Sequence, residues 1–139
     1  MPVHTTSIRL KTRGFCDMHD LTARVAEAVA AGDIHNGIVT VFVPGSTAGL
    51  TTIEYESGAL DDLKSALERM APEGEHYSHD ARWGDGNGFA HVRAALLGPS
   101  LSVPMSHGEL QLGTWQQIIL VDFDNRPRHR DIVVQVVGE

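Results

Sequence analysis

The 139 residues have the length of one domain, 1–139, long enough to bury roughly 68% of the surface that the unfolded chain would expose. Hydrophobic and charged contents of 42% and 21% suit a soluble globular protein, and a formal net charge of -7 argues against nucleic acid, whose binding needs clustered Lys and Arg. No apolar run approaches the ~20 residues that span a bilayer, and no signal-peptide core precedes Arg13. The single Cys16 has no partner for an internal disulfide, so a cytoplasmic protein without a membrane partner is expected. Cys16 itself reads as a small buried hydrophobe rather than a nucleophile.

Residues 3–12 carry a strand-like pattern that Gly14 punctuates. Over 17–31, Leu21, Val25 and Val29 fall at helical spacing, and Gly32 closes that helix. The continuous apolar run 38–43 predicts a strand covered on both faces. Pro44 to Thr47 breaks it, and 48–55 resumes extended character. Ser57 is the expected N-cap of a helix whose buried stripe is Leu60, Leu63, Leu67 and Met70, ended by Pro72. A Gly-rich polar loop leads into a third helix at 89–97, stopped by Gly98-Pro99. Segments 101–104, 109–112, 115–123 and 131–137 read as strands, the last two as a hairpin around 125–130. Ile118 to Val121 are apolar in unbroken succession, so that strand needs helices on one face and a second sheet or another subunit on the other. The expected architecture is α+β, a mixed or antiparallel β-sandwich with three helices that oligomerises.

Chemistry concentrates in 76–91, which gathers three of eight histidines, two aspartates and an asparagine around flexible glycines. His79, Asp85 and His91 are the ligand types for a divalent ion, zinc or magnesium. Asn87 lies four residues before His91, on the same flank of the helix. The competing reading is a hydrogen-bonded staple with His79 capping backbone and His91 in solvent. His76 reads as surface. A calcium loop starting at Asp85 fails, because Phe89, Ala90 and Leu96 occupy the positions that need an oxygen ligand, glycine and glutamate. Gly45, Ser46 and Thr47 after a buried strand present donors to an anion, or simply connect two strands. Glu54 alternates with Ile53 and is a candidate acid or base, while Trp115 defaults to core. Arg126, Arg128 and Arg130 read first as a solvated hairpin tip, with a local anion site as the alternative.

Several ordered motifs carry a resemblance that runs from the first strand to the C-terminus. They are Gly37 to Pro44, Ser46 to Thr51 with Glu54, then His79, Asp85, Asn87 and Ala90-His91, then Leu96 to Ser100, and Leu112 to Gln116. With these the chain resembles the YjbQ family, often labelled secondary thiamine-phosphate synthase. The resemblance implies a compact α+β sandwich that forms a homotrimer through its sheets. It also implies a polar pocket near the subunit boundary and a phosphorylated small-molecule substrate. The attributed reaction is weak thiamine-phosphate synthesis, in which pyrophosphate is displaced from an aminopyrimidine. The site roles implied are His79 and His91 on metal with Asp85 assisting, Asn87 orienting His91, and Glu54 as acid or base. Ser46 and Thr47 would hold phosphate, and Thr114, Trp115 and Gln116 would face substrate. One position departs from the pattern: many members carry histidine directly after the strand's proline, where this chain has Gly45. His107 is then the only further imidazole in prospect. Two other functions stay open: a non-catalytic binding protein for a phosphorylated or anionic metabolite, and a loop that only knits an oligomer together.

Overall fold

The computed structural model describes all 139 residues. Eight strands and four helices follow in the order β1 (Val3–Thr12), β2 (Asp17–Asp20), α1 (Thr22–Ala30), β3 (Gly37–Phe42), β4 (Ala48–Ile53), α2 (Ser57–Met70), α3 (Ser78–Trp83), α4 (Gly88–Leu97), β5 (Ser100–Ser106), β6 (Glu109–Leu110), β7 (Gln117–Asp122) and β8 (Arg128–Gly138). They build one sheet of order β1-β8-β3-β5-β6 and another of order β2-β7-β4. Every ladder is antiparallel.

Alternation explains the layering. Along β8, Arg130, Ile132, Val134 and Val136 turn inward, while Asp131, Gln135 and Val137 face out. Their inward partners Val39, Val41, Ile8 and Leu10 meet Leu50, Ile118 and Leu120 of the second sheet, and Val25 and Val29 of α1 join the same core. The other face of β7 presents Ile119 and Val121, with Phe123 just beyond, to Leu67 of α2 and to Phe89, Ala90 and Ala94 of α4. The unbroken apolar run is therefore covered within the chain, by a sheet on one side and helices on the other.

Six local expectations change. The run 38–43 is covered on one face only: Val39, Val41 and Val43 are buried, while Ile38 and Phe42 are exposed. Met70, expected in the buried stripe of α2, is exposed as well. The first helix starts at Thr22, because Asp17–Asp20 pairs with β7 and the Asp20 carboxylate accepts the Thr22 N–H at 2.9 Å. The N-cap of α2 is Glu56, whose carboxylate accepts from Gly58 and Ala59, and Ser57 is already helical. A fourth helix, α3, lies inside what reads as loop, closed by Gly84 at φ 71°. Finally, β7 and β8 form no hairpin. They belong to different sheets, and residues 123–127 carry the chain from one to the other.

That crossover sets the charge pattern. Asp122 and Asp124 are fully buried, Arg130 is buried and Arg128 half-buried, so only Arg126 and His129 of the basic stretch stay in solvent. Asp122 accepts from Arg130 Nε at 2.7 Å and from Thr12 Oγ1 at 2.6 Å. Asp124 accepts from Arg128 Nε at 2.8 Å. The solvated-tip reading gives way to a buried ion network at the end of both sheets.

Candidate functional site

Helix α4 opens at the end of the polar loop, which places its free N–H groups and positive pole there. Asp80 of α3 accepts the Gly88 N–H through Oδ1 at 2.8 Å. Gly88 has no room for more: a Cβ there would stand 2.5 Å from Tyr77 Cβ. This packing turns α3 back over α4 and brings His79 onto His91, with ring centroids 4.2 Å apart and planes tilted by 39°.

His79 Nδ1 lies 3.4 Å from Asp85 Oδ1 and 3.7 Å from Asp80 Oδ1. It is buried and makes no hydrogen bond. His79 therefore caps no backbone group through this nitrogen, and His91 is half-buried rather than in bulk solvent. One ligand atom from each of His79, Asp80 and Asp85 falls within 4.8 Å of the others. Asp80 thus enters the set that motif reading had built from His79, Asp85 and His91, while His91 stands beside it as a stacked neighbour. An imidazole with two carboxylates suits a divalent ion of the zinc or magnesium kind, and the orphaned nitrogen fits that role.

His91 is held below the ordinary imidazole range, first by burial and then by His79, against the opposing pull of Asp85, Asp124 and Asp80. It is therefore neutral at neutral pH and able to accept a proton or hydrogen bond. In an NMR titration its midpoint is expected below the ~6.5 of a free imidazole. The unfolded chain takes up that proton first, so the stability from neutral His91 is complete above about 6.5 and is lost as pH falls through the depressed folded value. A midpoint at or above 6.5 would remove His91 from this role.

Asn87 is buried, and its Nδ2 donates to Asp124 Oδ1 at 3.3 Å, leaving Oδ1 without a partner. Its side chain thus reaches Asp124; only its backbone carbonyl meets the His91 N–H. Asp124 also accepts from Thr47 Oγ1 at 2.9 Å. Burial opposes ionisation of Asp124, yet the donors Thr47, Asn125 N–H, Asn87 and Arg128 outweigh it and hold the carboxyl below its usual range. Asp124 is a positioning residue that ties the His-bearing loop to the Ser46-Thr47 segment. The sequence signal was its place directly after an apolar run, where a charge has to be paired inside.

Thr47 is buried, with its hydroxyl engaged by Asp124 and Arg130, whereas Ser46 is exposed. Gly45, Ser46, Ala48, His91, Ala95 and Pro99 share a recess of about 230 Å³. The remaining candidates lie elsewhere. Glu54 follows β4, whose six residues span roughly 20 Å from the Thr47 end. Gln116 donates to Thr52 Oγ1 at 3.3 Å and accepts from Gly113 N–H at 2.9 Å. Trp115 is 73% exposed, so it is not core. Within one chain, Glu54, Thr114, Trp115 and Gln116 gather at the far end of the β4–β7 pair from the histidines. His107 sits on the β5–β6 turn against Asn36, at the opposite end of β3 from Gly45. The Cys16 thiol is pushed up by burial, which favours the packing role expected of it.

A family model described as UPF0047 protein YjbQ-like matches residues 6–139. A UPF0047 protein of Methanothermobacter thermautotrophicus is 39% identical, covering 100% of this chain and 95% of that protein. Another, from Archaeoglobus fulgidus, is 38% identical over 94% and 98% of the two chains. Among solved structures, a YbjQ-like protein of unknown function from Sulfolobus solfataricus P2 superposes with a TM-score of 0.94 at 32% identity, covering 99% of each chain. An uncharacterised YjbQ/UPF0047 protein of Clostridium acetobutylicum gives 0.86 at 32% identity, over 95% of this chain and 99% of that one. Sequence and fold agree along essentially the whole length, and the chain belongs to the YjbQ-like UPF0047 family.

Proposed function

We propose that the protein is a divalent-metal-assisted transferase acting on phosphorylated small molecules, of the thiamine-phosphate-forming type. The observation that supports it most is the buried His79 Nδ1, which makes no hydrogen bond and has the Asp80 and Asp85 oxygens close by. In the reaction, the bond between an aminopyrimidine methylene carbon and its diphosphate oxygen breaks. That carbon joins the thiazole nitrogen, and pyrophosphate leaves with the electron pair. His79, Asp80 and Asp85 would hold a divalent ion, which would neutralise charge on the departing pyrophosphate. His91, neutral, accepts a hydrogen bond from the substrate and fixes its orientation. Asn87 and Thr47, both tied to Asp124, keep the two flanks of the recess in register.

The second cluster joins the site only if a neighbouring subunit supplies it, so a homotrimer formed through the sheets is part of the proposal. The exposed Trp115 and the outward row Val3, Val137 and Ile38 on the first sheet favour such contact. One experiment tests both parts: assay thiamine-phosphate formation by wild type, His91→Ala, Glu54→Ala and a co-refolded mixture of the two variants. Metal-dependent turnover is expected in wild type and in the mixture, and neither variant alone should show it. If the mixture stays inactive, the shared site is refuted. If wild type binds the phosphorylated reactants without turnover, the chain is the alternative, a non-catalytic binder of an anionic metabolite.

A further inference from the structure

Arg130 carries a donor that the His79 cluster does not use. The residue is 8% exposed. One edge of its guanidinium is locked: Nε donates to Asp122 Oδ2 at 2.7 Å, and Nη2 donates to Asp122 Oδ1 at 3.0 Å. Nη2 also reaches Thr47 Oγ1 at 2.8 Å. A bidentate fork on a fully buried carboxylate fixes the plane of the group. Nη1 is left over, with no hydrogen bond inside the chain. Nη1 is not one of the side-chain atoms buried without a partner, so it faces the surface and is free to meet a ligand.

In front of Nη1 lies the missing side chain of residue 45. A Cβ built on Gly45 would stand 3.0 Å from Nη1, and apart from its chain neighbours no other heavy atom lies within 4 Å of that point. Gly45 is exposed and lines the same recess as Ser46 and His91. The buried carboxylates of Asp122 and Asp124 are each paired with an arginine, Arg130 and Arg128.

We propose that Arg130 Nη1, reached through the gap at Gly45, binds an oxygen of a phosphoryl group, with the rest of the ligand in the recess toward His91. This rests on the reading above for the ligand's class. It transfers the phosphate-holding role from Thr47, whose hydroxyl is occupied, to Arg130 beside Ser46. The seat is built in advance, since the Asp122 fork holds the donor in place before any ligand arrives.

The test is calorimetric titration of inorganic pyrophosphate into chelator-treated wild type and Gly45→Ala, whose methyl would fill the point in front of Nη1. Wild type should bind, and Gly45→Ala should bind at least ~10-fold more weakly, as expected for losing a hydrogen bond to a charged group. Equal affinity in the two proteins, or no binding by wild type, overturns the proposal. Residue 45 sits at φ 140°, where alanine is strained. Should that variant fail to fold, a crystal of wild type grown with pyrophosphate decides. An anion within hydrogen-bonding distance of Nη1 supports the seat, and an anion only elsewhere, or none, refutes it. The protein is metal-free throughout, so this result stands apart from whether the His79 cluster takes up metal.

Discussion

Arg130→Ala is expected to cost about 3–5 kcal/mol of stability, because it strands the Asp122 charge with no cation in a fully buried place. Against a total of ~5–15 kcal/mol for a domain of this size, that is enough to leave a large share of the chain unfolded under mild stress. Thr12 still donates to Asp122 at 2.6 Å, but a hydroxyl does not replace a guanidinium fork. The control is Arg9→Ala. Its partner is Asp131 at 3.0 Å, and the two side chains are 81% and 59% exposed, so the expected change is within ~0.5 kcal/mol. Urea midpoints measure both. If Arg130→Ala and Arg9→Ala shift the midpoint equally, the network at the sheet ends does not hold the fold as described. The companion Asp122→Leu/Arg130→Met should recover part of the loss, because removing both charges leaves no bare ion.

His79→Ala is expected to abolish divalent-metal uptake, measured by elemental analysis after dialysis. His79 supplies the only nitrogen among the three converging ligand atoms, and two carboxylates alone leave a weak, open site. His91→Ala should behave differently. Its ring lies against His79 but outside the converging set, so metal should be retained while turnover falls by ~10²-fold, as for loss of a contact that orients the substrate. Metal content lost in His91→Ala and kept in His79→Ala would invert the assignment, making His91 the ligand. The contrast separates holding an ion from handling a substrate, two roles that the ring stacking alone leaves together.

Much of the layering was readable in the chain. The alternation over Val3–Thr12 and the unbroken run Ile118 to Val121 mark one strand with a wet face and one with none, but the run 38–43 misled, since Ile38 and Phe42 stay exposed. The helix expected over 17–31 began too early, because Asp17 to Asp20 carries no period of its own and the strand there forms by pairing with β7. Six residues of α3 are too few to show a helical repeat, and without α3 Asp80 had no reason to lie beside His79 and Asp85. The hairpin expectation failed for a related reason. Sequence neighbours usually pair, but Asp122 and Asp124 turn inward toward Arg130 and Arg128 and carry the chain across to the other sheet.

Composition, periodicity and ordered motifs determined by themselves the α+β class, the family, and the loop that concentrates imidazoles and carboxylates. These properties depend on residues near each other in the chain, where spacing translates directly into a face. Tertiary closure alone decided which charges meet: Thr12 reaches Asp122 across 110 positions, and Arg130 reaches Thr47 across 83. It also decided that the histidines and the Glu54–Gln116 group stand at opposite ends of one strand pair. Such meetings follow from how two sheets stack and cross over, and no local pattern encodes the distance between residues that only the folded core brings together.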